Sequence, residues 1–113
     1  MLYSSVARAG DFDDATDAYE KGNYDQAIEL FLPLATQGNA NAQYNLGLMY
    51  DEGKTVTQDY ARAYMWFSLA ASKGHKGAEE IREKVAKKMT PAQIDEAQKM
   101  ARDCENKNYK NCE

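Results

Sequence analysis

Few residues in this chain are of a type that does covalent chemistry. His75, in "SKGHKGA", is the only histidine, and the only cysteines are Cys104 and Cys112, in "CENKNYKNCE". A nucleophilic hydrolase needs its nucleophile beside a base that a third group orients. No such motif surrounds His75, which reads as an exposed loop residue in a turn between Gly74 and Lys76. The paired carboxylates Asp13 with Asp17 and Asp51 with Glu52 are the right type for acid–base work. That work requires one carboxyl in a cleft with a raised pKa, and nothing in the flanking sequence points to burial. "EGKT" shares its end with a phosphate-binding loop, but no glycine precedes Gly53 by five residues and no strand leads in. Zinc would want more ligands than two cysteines and one distant histidine. The residues therefore point to no catalytic group, no metal and no cofactor.

The cysteines bear instead on compartment. Under oxidising conditions Cys104 and Cys112 would close a small ring tying the tail to the last helix; in a cytosolic protein they would be two free thiols. The start of the chain bears on it too. Ala7-Arg8-Ala9 is a small-x-small triplet like a secretory cleavage site, followed by the acidic Gly10-Asp11-Phe12. The apolar core of a signal peptide is missing upstream, so residues 1–10 read as a leader remnant or a disordered N-terminus. A periplasmic or secreted location is expected, with the cytoplasm as the alternative. No run of eighteen apolar residues exists to span a membrane.

Charge narrows the partners. Residues 1–56 hold 3 Lys/Arg against 9 Asp/Glu, and residues 57–113 hold 11 against 9. An acidic N-terminal half argues against nucleic acid, which needs a basic face to displace counterions. It would suit a basic partner, although acidic helix faces are also commonly just solvated.

The elements that must position these residues are helices. At 113 residues, 43% hydrophobic and 28% charged, the chain fits one globular domain. Ala, Leu, Glu, Lys, Gln and Met abound, while the strand-favouring Val and Ile are scarce. An internal repeat then sets the architecture. "NYDQAIELFLPLATQGNANAQ" overlies "DYARAYMWFSLAASKGHKGAE" at an offset of 36, pairing Tyr24 with Tyr60, Ala27 with Ala63, Phe31 with Phe67, Ala35 with Ala71, Gly38 with Gly74 and Ala42 with Ala78. Upstream, Tyr19 and Gly22 match Tyr50 and Gly53 at an offset of 31, so the second unit is longer between Gly53 and Asp59. Each unit reads as two helices, with Gly53 as a C-cap, Asp59 as an N-cap and Gly74 as a stop. Gly47 and Ala63 are small enough to let paired helices approach closely. "MTPAQIDEAQKMARDC" opens a last helix, with Thr90 as N-cap, Pro91 at its first position, Gln93 completing a capping box and a Met89–Ile94 staple. Ile94, Ala97 and Ala101 on that helix are expected to cover the exposed end of the stack. Six helices follow, near 11–21, 25–37, 40–52, 59–73, 77–89 and 91–104.

"AQYNLGLMYDEGKTVTQDYARAYMWFSLAASKGHKGA" resembles the Sel-like repeat (Sel-one type), a member of the tetratricopeptide-like helical repeats. The shared positions are Ala42, Leu46, Gly47, Tyr50, Gly53, Val56, Asp59, Ala63, Trp66, Phe67, Ala70, Ala71, Gly74 and Ala78. Thr55 departs from the pattern, standing where a second glycine is usual. The first unit matches less well, with Ala15 and Thr16 in place of Leu-Gly, and would serve as a cap. The resemblance implies an all-α fold, a short right-handed superhelical solenoid of antiparallel hairpins, with a repeat domain at 11–105 (units about 11–38, 39–74 and 75–105) and a polar tail at 106–113. In this register Trp66, Tyr64 and Phe67 are core residues, and Val56 tucks toward the hairpin.

The resemblance also implies a non-catalytic adaptor or scaffold that binds a protein or peptide on the concave surface formed by the first helix of each pair. The register puts Asp13, Asp17, Glu20, Tyr44, Asn45, Leu48, Asp51 and Glu52 at or near it, and the carboxylates would prefer a ligand bearing Lys or Arg. Tyr44 and Leu48 would give apolar contact, or pack between hairpins instead. A structural role in self-association is the alternative, the protein being a monomer or a weak homo-oligomer. A remote further alternative is a weak hydrolase of the cysteine-rich Sel-like kind, whose members carry a cysteine pair in each repeat; this chain lacks that pattern.

Overall fold

A computed structural model describes residues 10–54 and 58–112. The triplet at 7–9 and Val56 lie outside the described residues. Within them the chain forms six helices and no strand: α1 (Asp11–Glu20), α2 (Tyr24–Thr36), α3 (Ala40–Glu52), α4 (Tyr60–Ser72), α5 (Lys76–Ala86) and α6 (Pro91–Asn106). Among the described residues no helix is long and apolar enough to cross a membrane.

Local chemistry sets where the helices start and stop. Asn39 caps α3 by accepting from the Ala42 N–H, and Asp59 caps α4 by accepting from the Arg62 N–H. At α6 the Thr90 hydroxyl accepts from the Gln93 N–H while the Gln93 side chain accepts from the Thr90 N–H, a complete capping box. Gly53 ends α3 at φ 71°, in the left-handed region that side chains disfavour. The longer turn that follows is tied back to α3: the Asp59 N–H donates to the Tyr50 carbonyl and Gln58 Nε2 to the Asp51 carbonyl.

Helix α1 pairs with α2 and α3 with α4, and the hairpins stack through α2 on α3 and α4 on α5. Paired repeat positions are buried alike, with Ala27 and Ala63, Phe31 and Phe67, and Ala42 and Ala78 all at most 1% exposed. The centre of the molecule is α4. Its Met65, Trp66 and Leu69 enter a cluster with α1, α2 and α3, while Ala63, Tyr64, Phe67, Ala70 and Ala71 enter a second with α5. A helix apolar on nearly every side must be enclosed by neighbours. One enclosing contact sets the spacing: a Cβ added at Gly47 of α3 would lie 2.5 Å from the Phe67 ring.

Helix α6 takes a place different from the expected cover over the end of the stack. Its main packing is against α4. Ala97 joins the second cluster and Ala101 and Cys104 the first, so α6 runs along both halves of the core. Gln98 Nε2 reaches the Tyr64 hydroxyl at 3.4 Å from the same side. The physical reason is the breadth of the apolar surface of α4, which α3 and α5 leave open along one side.

Gly47→Ala should destabilise the fold by about 1–3 kcal/mol, as overpacking does, read as a lower midpoint in urea. Gly74→Ala, where an added Cβ would meet nothing within 4 Å among the described residues apart from its chain neighbours, carries only the backbone strain of its positive φ and tests whether the Gly47 effect is steric.

Candidate functional site

Polar and aromatic side chains tie α1 to α3 and α3 to the two ends of α5. From α1 the Tyr19 hydroxyl donates to Glu52 Oε1 of α3 at 2.7 Å. Partial burial, followed by the hydrogen bond to Glu52 and its charge, holds the Tyr19 phenol well above the ordinary tyrosine range. The phenol therefore stays a neutral donor. The stability this gives is present below the ordinary tyrosine pKa and is lost only as pH rises through the raised one. Tyr19 also meets Tyr24 edge-on, and the Lys54 ammonium lies 5.2 Å from the Tyr24 ring centre.

Between α3 and α5 there are two ties. Asp51 Oδ1 lies 3.6 Å from Lys88 Nζ just beyond α5, with the Asp51 side chain only 15% exposed. Tyr44 stacks on the His75 ring at 4.5 Å and 20° and leans against Phe67. His75 is thus half-buried rather than an exposed loop residue: it is the N-cap of α5, its Nδ1 accepting from the Ala78 N–H at 3.0 Å. An imidazole so used is a helix cap and a stacking surface.

The eight residues singled out from the register divide accordingly. Asp13, Asp17 and Glu20 are exposed on α1, Asp17 in a solvent-exposed pair with Lys21 at 2.9 Å. Tyr44 and Leu48 pack against the second core cluster. Asn45 is half-buried between them on α3. Asp51 and Glu52 hold α3 to Lys88 and Tyr19. The outward carboxylates are those of α1, where Asp14, Asp17 and Lys21 also border a groove of about 260 Å³ between α1 and α2 with Asn23, Gln26 and Leu30. Tyr19, His75 and Lys88, unremarked as site residues in the sequence, complete the surface; the match of Tyr19 to Tyr50 was the one signal that Tyr19 is placed deliberately. Among the described residues no group of three metal-ligand side chains comes together.

The family model described as Sel1 repeat matches residues 14–39 and again 40–75. The alginate biosynthesis protein AlgK of Azotobacter vinelandii is 28% identical over 75 residues, covering 66% of this chain and 16% of that protein. The ERAD-associated E3 ubiquitin-protein ligase component HRD3A of Arabidopsis thaliana is 34% identical over 62 residues, 54% of this chain and 9% of that protein. The chain thus spans less than a fifth of the length of these curated relatives.

In a double-mutant cycle, Tyr19→Phe and Glu52→Gln should show a coupling of about 0.5–1.5 kcal/mol in unfolding, the range for one hydrogen bond. His75→Ala should cost about 1 kcal/mol as a lost N-cap, and His75→Asn, which can still accept from Ala78, only a few tenths.

Proposed function

The chain belongs to the Sel1 repeat family, and from that premise we propose that it is a non-catalytic protein- or peptide-binding module, an adaptor or scaffold whose binding face is formed by α1, α3 and α5. The observation that carries this reading is the division of the carboxylates. Glu52 and Asp51 are engaged between elements, with Tyr19 and Lys88, whereas among the described residues the exposed Asp13 and Glu20 bridge no two helices and Asp17 pairs only with Lys21 one turn along. A rigid face with unspent charge at one edge is suited to recognising Lys or Arg side chains of a partner. Tyr44 and Leu48, packed but half-exposed, give that face its apolar floor.

The chemistry supports binding over turnover. His75 is occupied as a cap, and Cys104 is bonded to Cys112. That bond also supports residence in an oxidising compartment, a periplasm or a secreted location. The relatives' printed names, a biosynthesis protein and a component of a ligase, are consistent with a module that works within larger assemblies.

The test is capture of partners from the source organism on the immobilised chain, identification by mass spectrometry, and titration of the purified partner. Asp13→Lys with Asp17→Lys should weaken binding about tenfold or more and flatten its salt dependence. Loss of the Asp17–Lys21 pair and reversal of the first-turn charge at Asp13 should cost about 0.5–2 kcal/mol in unfolding, so affinity is compared under conditions where the urea curve shows the variant folded. Unchanged affinity in the folded double variant contradicts the basic-ligand reading.

A further inference from the structure

Beyond α6 the chain turns back. Its C-terminal segment packs on the first core cluster through Tyr109 and Cys112, at α2 and α4. Lys73 Nζ, at the end of α4, lies 4.9 Å from the Tyr109 ring centre, and an added Cβ at Gly38 would touch both side chains. Three features mark this segment as held rather than relaxed. Asn108, Tyr109 and Asn111 all have positive φ, at 54°, 66° and 56°. That region is tolerable for asparagine and disfavoured for tyrosine. The covalent closure is the Cys104–Cys112 disulfide, which anchors the segment to a cysteine 1% exposed in the core. Beneath the segment lies a cavity of about 210 Å³ lined by Leu32, Thr36, Trp66, Asn111 and Cys112. Trp66 is fully buried, yet its indole Nε1 meets no acceptor among the described residues. A buried donor left unpaired marks a place where the packing is incomplete.

From this arrangement we infer that residues 107–112 form a redox-released strap, whose disulfide keeps a strained segment closed over an apolar cavity at Trp66. The two sulfurs differ in access: Cys104 is buried and Cys112 half-exposed. A thiolate of a dithiol reductant therefore attacks Cys112 Sγ, the S–S bond breaks, and Cys104 leaves as a thiolate that takes up a proton. The second thiol of the reductant then displaces Cys112 from the mixed disulfide. The dithiol is oxidised to its own disulfide while the protein disulfide gains two electrons. Once the ring is open, Asn108, Tyr109 and Asn111 relax to ordinary φ, the strap lifts, and the Leu32–Thr36–Trp66 surface between α2 and α4 is uncovered. The helices remain, because all their caps but one and their core lie elsewhere; only the last turn of α6, whose Asp103, Cys104 and Glu105 carbonyls accept from the Lys107, Asn108 and Tyr109 N–H groups, loosens with the strap.

The chain has a single tryptophan, so its fluorescence reports this site alone. On complete reduction with dithiothreitol, verified by titrating two thiols, acrylamide quenching of Trp66 should rise severalfold and trypsin should cut at Lys110 severalfold faster. Far-UV circular dichroism should stay unchanged apart from that last turn, and reoxidation should reverse both effects. Cys112→Ser should show the reduced behaviour without reductant. If that variant fails to fold, the reversible reduction of the natural chain decides the matter. Unchanged quenching after full reduction overturns the strap, because the segment then stays docked without its bond. Loss of helicity beyond that turn together with the quenching change overturns it too, because the ring is then a staple of the whole fold.

Discussion

Gly47 and the Phe67 ring meet with no room for a methyl group between them. This contact fixes how near α3 comes to α4, and most of the architecture follows from it. At that spacing Phe67 is fully enclosed, and the consecutive bulky residues Tyr64, Met65 and Trp66 are driven outward to other neighbours. Met65 and Trp66 face the first hairpin and Tyr64 faces α5 and α6. A helix this apolar would be insoluble alone, so the fold is the set of helices needed to surround it. Gln43 shows the same economy on the other side. It is fully buried between α2 and α3, and its Nε2 donates to the Ala35 carbonyl at 3.1 Å, pinning one hairpin to the next.

Because the second helices of the hairpins, α2 and α4, are occupied with burial, the polar work falls to α1, α3 and α5. Their charged groups serve two ends that compete for the same residues. A carboxylate that bridges neighbouring helices, as Glu52 and Asp51 do, holds the face rigid but is no longer free for a ligand. A carboxylate left exposed, as Asp13 is, adds nothing to packing but sets the potential a partner meets. The chain places the first kind at the carboxyl end of α3 and the second along α1.

Much of this was legible in the sequence wherever the signal is local. The hairpin register, the αL turn at Gly53 and the caps at Asp59 and Thr90 each depend on residues within a few positions of one another. The small residue at Gly47 was legible for a related reason, since close approach of paired helices demands it at a repeat position. What stayed hidden depends on neighbours far apart in the chain. Tyr19 and Glu52 are separated by 33 residues, and neither type announces the other. Two opposite charges such as Asp51 and Lys88 pair only after α5 is docked. His75 gave no motif because a histidine cap is defined by the turn it occupies, not by its spacing. The placement of α6 along α4 was hidden too, since Ala97 and Ala101 would suit either surface.

The central claim is that the first helices form the binding face, and hydrogen exchange of the partner-bound chain tests it most directly. Once a captured partner is saturating, the account predicts slowed exchange confined to α1, α3 and α5, strongest over residues 13–20 and 41–52, with α2 and α6 unchanged. Protection falling instead on α2 and α6, with α1 and α3 exchanging as in the free protein, would contradict it.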